Sequence, residues 1–149
     1  MPGPIIVAVR IGPESASPIE VGADLARRLD SQLVVAYVAV ELNTADALAA
    51  DIVVSGPDAI EAVRESAVEE FAQLFPDIGV SYDFVVGTGP PAFELSRIAR
   101  DRGAYMMITG TRGRGRLSQL ILGDTTREIV RQSPCPVIVV PSRRPARET

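Results

Sequence analysis

The sequence contains no histidine, no lysine and no tryptophan, and only one cysteine, Cys135. Without histidine there is no Ser-His-Asp or Cys-His constellation, no imidazole metal site and no histidine pH switch. Without lysine there is no Walker lysine, Schiff-base lysine or lysine base. All 15 basic residues are arginine. One cysteine can neither close an internal disulfide nor build a Cys-rich zinc site. Set between Pro134 and Pro136, it reads as a small core filler rather than a redox centre. No apolar run reaches the roughly 18 residues of a membrane-spanning helix. The opening Met1-Pro2-Gly3-Pro4 has no basic segment of the signal-peptide kind. A cytoplasmic protein without a membrane partner is expected. Carboxylates, hydroxyls, arginines, one thiol and backbone amides remain, a set that favours binding over catalysis.

What is present fits one domain. The chain has 149 residues, 46% hydrophobic and 23% charged, close to a globular average. Residues 1–141 are expected to fold as one domain, with the polar tail 142–149 disordered. The formal charge is −4, but its distribution is uneven. Residues 1–102 carry 7 arginines against 16 acids, and residues 103–149 carry 8 against 3. An anionic ligand is therefore expected to meet the last third of the chain. The acidic total argues against nucleic acid as a partner.

Five apolar, β-branched runs read as strands: Ile5–Val9, Gln32–Val38, Val80–Val86, Tyr105–Thr109 and Val137–Val140. Most are continuous rather than alternating, as in a parallel sheet covered on both faces. Helical patterns lie between them. Ser17-Pro18-Ile19-Glu20 reads as a capping box that opens a first helix, with Ile19, Gly22, Ala26 and Leu29 on one face. A second helix runs from near Asp58 through Ile60, Val63, Ala67, Phe71 and Leu74 to Pro76. Its acids Glu61, Glu65, Glu69 and Glu70 read as a solvated face rather than a metal cluster. A third follows Pro90-Pro91 and stops at Gly103, and a fourth starts near Asp124 or Thr125. The alternation implies an open parallel sheet with right-handed crossovers, which takes ligands beyond the carboxyl ends of its strands. The connections 10–16 and 110–124 are the places to look. The long stretch Glu41–Pro57 reads as a solvated insertion before it reads as a lid over a ligand.

The segment Gly110-Thr111-Arg112-Gly113-Arg114-Gly115-Arg116, followed by Gly123-Asp124-Thr125-Thr126, carries the chemistry. Glycines leaving a strand let backbone amides approach an anion, and a helix N-terminus adds unpaired N–H groups. Arg112, Arg114 and Arg116 surround the loop with positive charge. A tight turn with solvated arginines is the other reading. The spacing Gly110-x2-Gly113-x9-Gly123 after a fourth strand resembles the universal stress protein family. So do the first strand Ile5–Val9, the Gly89-x-Pro91-Ala92 start of the third helix and the closing Ser133-Pro134-Cys135-Pro136-Val137-Ile138-Val139-Val140. The likeness covers nearly the whole chain. It implies an α/β three-layer sandwich of the Rossmann-like, adenine-nucleotide alpha hydrolase-like kind, with a five-stranded parallel sheet ordered 3-2-1-4-5. It also implies a homodimer and, in one branch of the family, binding of ATP or another adenine nucleotide, with or without Mg²⁺. With histidine and lysine absent, a stress-response binding module is expected rather than an enzyme, with slow nucleotide hydrolysis as the remaining catalytic alternative.

The resemblance puts the phosphates at Gly110, Gly113, Gly123 and Asp124, with Arg112 and Arg114 beside them. It puts the adenosine at Val38 and at the end of strand 1, Val9 and Arg10. Two positions depart from the family pattern: Asp124 stands where a Ser or Thr is usual, and Arg10 where an Asp is usual. A carboxylate 4 Å from a phosphate charge costs about 1 kcal/mol in bulk water and about 4 kcal/mol at an effective dielectric of 20. Thr125 and Thr126 could supply the missing hydroxyl, and Thr125-x-x-Glu128 reads as a capping box that leaves Asp124 outside the helix. Three arrangements follow. Arg10 and Asp124 pair and plug the site, leaving a dimeric scaffold; Arg10 meets a phosphate; or Asp124 shares Mg²⁺ with the phosphates. Finally, Val137, Ile138, Val139 and Val140 form a short apolar run between prolines. As a sheet edge it invites pairing with a second copy.

Overall fold

The structure, a computed structural model, describes residues 2–39, 57–111 and 123–141. Its strands are β1 (Ile5–Val9), β2 (Leu33–Ala39), β3 (Tyr82–Thr88), β4 (Met106–Gly110) and β5 (Val137–Val140). Its helices are α1 (Ala16–Leu29), α2 (Pro57–Leu74), α3 (Pro91–Arg102) and α4 (Asp124–Gln132). The five strands make one sheet in the order β3-β2-β1-β4-β5, with every pairing parallel. The architecture is the three-layer sandwich that the continuous apolar runs anticipate.

Alternation along β1 divides the core. Ile5, Val7 and Val9 face one layer, where Ile19, Ala23 and Ala26 of α1 and Phe71 of α2 cover them. Ile6 faces the other, packed with Leu95, Ile98 and Ala99 of α3 and Ile129 of α4. Ile5, Ile6 and Val7 are wholly buried, each worth roughly 1.5–3 kcal/mol of hydrophobic burial. Gly22 brings α1 against β1: a methyl there would overlap Val7 Cγ2. The third helix ends as its sequence predicts. Gly103 adopts the left-handed conformation, its N–H bonds Arg100 O, and Ala104 N–H bonds Ala99 O at 2.9 Å, the pairing of a Schellman end.

Several boundaries differ from the sequence expectation. β2, β3 and β4 extend one or two residues further toward their carboxyl ends. Gly87 and Thr88 are not apolar, yet they pair in register with Val38 and Ala39, so pairing rather than apolarity ends the strand. The Ser17 capping box does not form. A 3-10 turn at Pro13–Ser15 feeds α1 directly, so Ser17 falls inside the first helical turn and Leu29, at the last, is 36% exposed. Among the described side chains of α2, Ala67 and Phe71 are deeply buried and Leu74 is exposed. The helix is held chiefly by Phe71, whose ring meets Phe75, Tyr82 and Phe84 at 5.0–5.7 Å between centroids. Glu61, Glu65, Glu69 and Glu70 are exposed, and no metal-ligand cluster occurs among the described residues. Met107 is core and Cys135 is half-buried beneath Ser133. No described helix is long and apolar enough to cross a membrane. The stretch 41–57, apart from its last residue, and the tail 142–149 lie outside the described residues.

Phe71→Ala is expected to lower stability by about 3–5 kcal/mol in urea denaturation. A loss under about 1 kcal/mol would show that α2 is not anchored this way.

Candidate functional site

β1 and β4 are neighbours, but the chain leaves them toward opposite layers, into α1 and α4. Their carboxyl ends therefore open a crevice, as strand-order reversals do. Its first wall is the turn after β1. Arg10 N–H donates to Ser15 Oγ at 2.9 Å, and the same hydroxyl donates to Arg10 O at 2.8 Å. Ser15 is 4% exposed, so both bonds are made away from water. They fix the Arg10 backbone while its side chain stays exposed.

The second wall joins β4 to α4. Gly110 ends β4 against α1: a Cβ there would come within 3.1 Å of Pro18 Cγ. Thr126 Oγ1 donates to Gly110 O at 3.3 Å, tying the first turn of α4 to the strand. Gly123 is the N-cap, and the first helical bond runs from Arg127 N–H to Gly123 O at 3.0 Å. The amides of Asp124, Thr125 and Thr126 precede that bond and have no acceptor within the helix. They give this end of α4 a partial positive charge of about +0.5.

Two neighbouring spaces that share lining residues lie between these walls. The larger, about 660 Å³, is bounded by Val9, Arg10 and Val38 and by Thr125 and Ile129 of α4. Tyr37, Glu70, Pro91 and Leu95 complete its sides. The smaller, about 80 Å³, is bounded by Arg10, Glu14 and Ser15, and by Gly110, Gly123 and Thr126. Arg10, Thr109 and Thr125 border both. The larger volume falls in the range of roughly 300–1,000 Å³ typical of small-molecule sites.

The sequence expectations divide here. Val9, Arg10, Val38, Gly110, Gly123, Thr125 and Thr126 all line the crevice. Arg112, Gly113 and Arg114 lie outside the described residues. Asp124 does not line either space. The Arg10–Asp124 ion pair does not form: the ion pairs among described residues join other partners. Asp124 is the exposed first residue of α4, where its charge complements the helix dipole from outside the crevice. The Thr125 capping box is also absent. Thr125 is a helical residue, and Glu128 instead accepts bonds from Arg131 and Gln132. Sequence reasoning missed Glu14, Tyr37, Glu70 and Thr109. Thr109 carried a usable signal, a hydroxyl at the carboxyl end of a switch-point strand. Glu70 carried none, because only the packing of α2 brings it there.

A family model described as the universal stress protein family matches residues 1–141. "Universal stress protein A homolog 2" of Coxiella burnetii is 28% identical, over 91% of this chain and 92% of its own length. "Universal stress protein YxiE" of Bacillus subtilis is 23% identical, over 91% and 97%. Two solved structures share the fold. A universal stress protein in complex with cAMP superposes with a TM-score of 0.62 at 16% identity, covering 95% of this chain and 98% of the other. One from Archaeoglobus fulgidus in complex with dAMP gives 0.64 at 16%, covering 93% and 97%.

Ser15→Ala removes both bonds to the Arg10 backbone. It is expected to cost about 1–3 kcal/mol in chemical denaturation, and an unchanged midpoint would contradict the role given to Ser15.

Proposed function

Because this chain belongs to the universal stress protein family, we propose that its crevice binds an adenine nucleotide and that the protein works as a binding module rather than a catalyst. The observation that carries this is the 660 Å³ cleft at the carboxyl ends of β1 and β4, bordered by the first turn of α4. Two relatives of the same fold were solved with cAMP and dAMP, which supports an adenine nucleotide here. The base and ribose would lie against Val9, Val38 and Leu95, and phosphate would meet Arg10, Thr125 and the first amides of α4. Thr125 takes the hydroxyl role that Asp124 cannot. Asp124 does not border the crevice, so it does not fit as a Mg²⁺ ligand there, and the metal is no part of the proposal. With neither histidine nor lysine in the chain, binding for regulation is the reading that the residue chemistry favours, and the proposal places it in the cytoplasm.

The same proposal includes a homodimer through β5. This strand ends the sheet. Pro136 O and Val140 O accept bonds from Met107 N–H and Thr111 N–H. Alternation along a parallel ladder then turns the polar groups of Val137 and Val139 to the open edge. Val137, Ile138, Val139 and Val140 are each only half-buried. A two-fold axis beside Ile138 would let Val137 and Val139 exchange backbone bonds with their copies. Such pairing removes an apolar edge that monomers avoid.

Native mass spectrometry tests both parts. A dimer that gains up to two nucleotide masses with an adenine nucleotide is expected. Retention of the bare mass at millimolar nucleotide would contradict the binding module. Val139→Pro removes an edge N–H and is expected to give a monomer, whereas a wild-type monomer would contradict the β5 interface.

A further inference from the structure

We propose that the crevice selects nucleotides that carry one phosphoryl group, with Arg10 holding that group and Glu14 turning longer phosphate chains away. Resting on the adenine-nucleotide reading above, this assigns its ligand class. Ala8, Arg10, Thr109 and Thr125 border both spaces. That shared border is where a nucleotide in the larger cleft would present its first phosphate. The space beyond is about 80 Å³. It opens to solvent, so what discriminates there is charge.

Arg10 has no ion-pair partner among the described residues, so its guanidinium can bind a phosphate in bidentate fashion. Its backbone is fixed on both sides by Ser15, which sets the point from which the side chain reaches. Glu14 borders the small space from the same turn. Its carboxylate folds over Gly12, where a side chain would collide with it. A first phosphate meets Arg10 and the amides of α4. A second or third, directed into the small space, meets the Glu14 carboxylate at close range and is repelled.

Isothermal titration of the full chain with adenosine, AMP and ATP, in EDTA, tests the assignment. Wild type is expected to bind AMP about tenfold or more tighter than ATP. Arg10→Ala is expected to weaken AMP by about tenfold or more, the scale of one charge-assisted phosphate contact, and adenosine by clearly less. Glu14→Gln is expected to tighten ATP several-fold, and by more than it tightens AMP. Arg10→Gln serves if Arg10→Ala fails to give a cooperative melt. Equal or tighter binding of ATP by wild type would overturn the inference while leaving the adenine-nucleotide reading intact. So would an equal loss of adenosine and AMP in Arg10→Ala. Failure of all three ligands to bind would overturn both.

Discussion

The reversal of strand order beside β1 is the constraint on which the rest depends. β1 pairs with β2 on one side and β4 on the other. Each right-handed crossover must leave its strand toward one layer, so α1 and α4 depart in opposite directions. The carboxyl ends of β1 and β4 cannot be covered by either helix. A gap there is a consequence of topology, and the wholly buried Ile5, Ile6 and Val7 that hold β1 in the centre also hold the gap open.

Two short polar linkages shape that gap. Ser15 closes the turn after β1 on the Arg10 backbone, and Thr126 fastens α4 to the last carbonyl of β4. Each hydroxyl is at least nine-tenths buried. A net hydrogen bond contributes only about 1 kcal/mol, but leaving a buried partner unsatisfied costs about 1–3 kcal/mol. These contacts therefore specify position more than they add stability. Pro18 against Gly110 completes the join between α1, β4 and the crevice. A side chain at Gly110 would press on Pro18, so glycine suits this close approach, whatever it does for an anion. Packing and binding make the same demand on that residue.

The layered fold was legible because five apolar runs, most of them continuous, alternate with helical patterns and leave a parallel sheet as the natural arrangement. Their ends were less legible. Gly87 and Thr88 are strand residues because β2 holds them, which no local pattern reports. At the site, Arg10 and Thr125 were legible from the two connections that the topology singles out. Asp124 was misread through a single residue of helix register. Placed at the first helical position instead of the cap, it sits on the exposed surface, and Thr125, about 100° further round the helix, lines the crevice. Glu14 was hidden by the 3-10 turn that displaced the expected start of α1. Glu70 was hidden because its helix reaches the strand ends only through tertiary packing at Phe71.

The central claim is that the crevice between β1 and β4 is where this protein takes its ligand. An amide-resolved NMR titration with AMP tests it most directly. The account predicts shifts concentrated at Arg10, Val38, Thr109 and Gly123–Thr126, with the amino ends of the strands, Ile5 and Leu33, unmoved. Shifts confined to a surface away from these residues, or none at millimolar AMP, would contradict it.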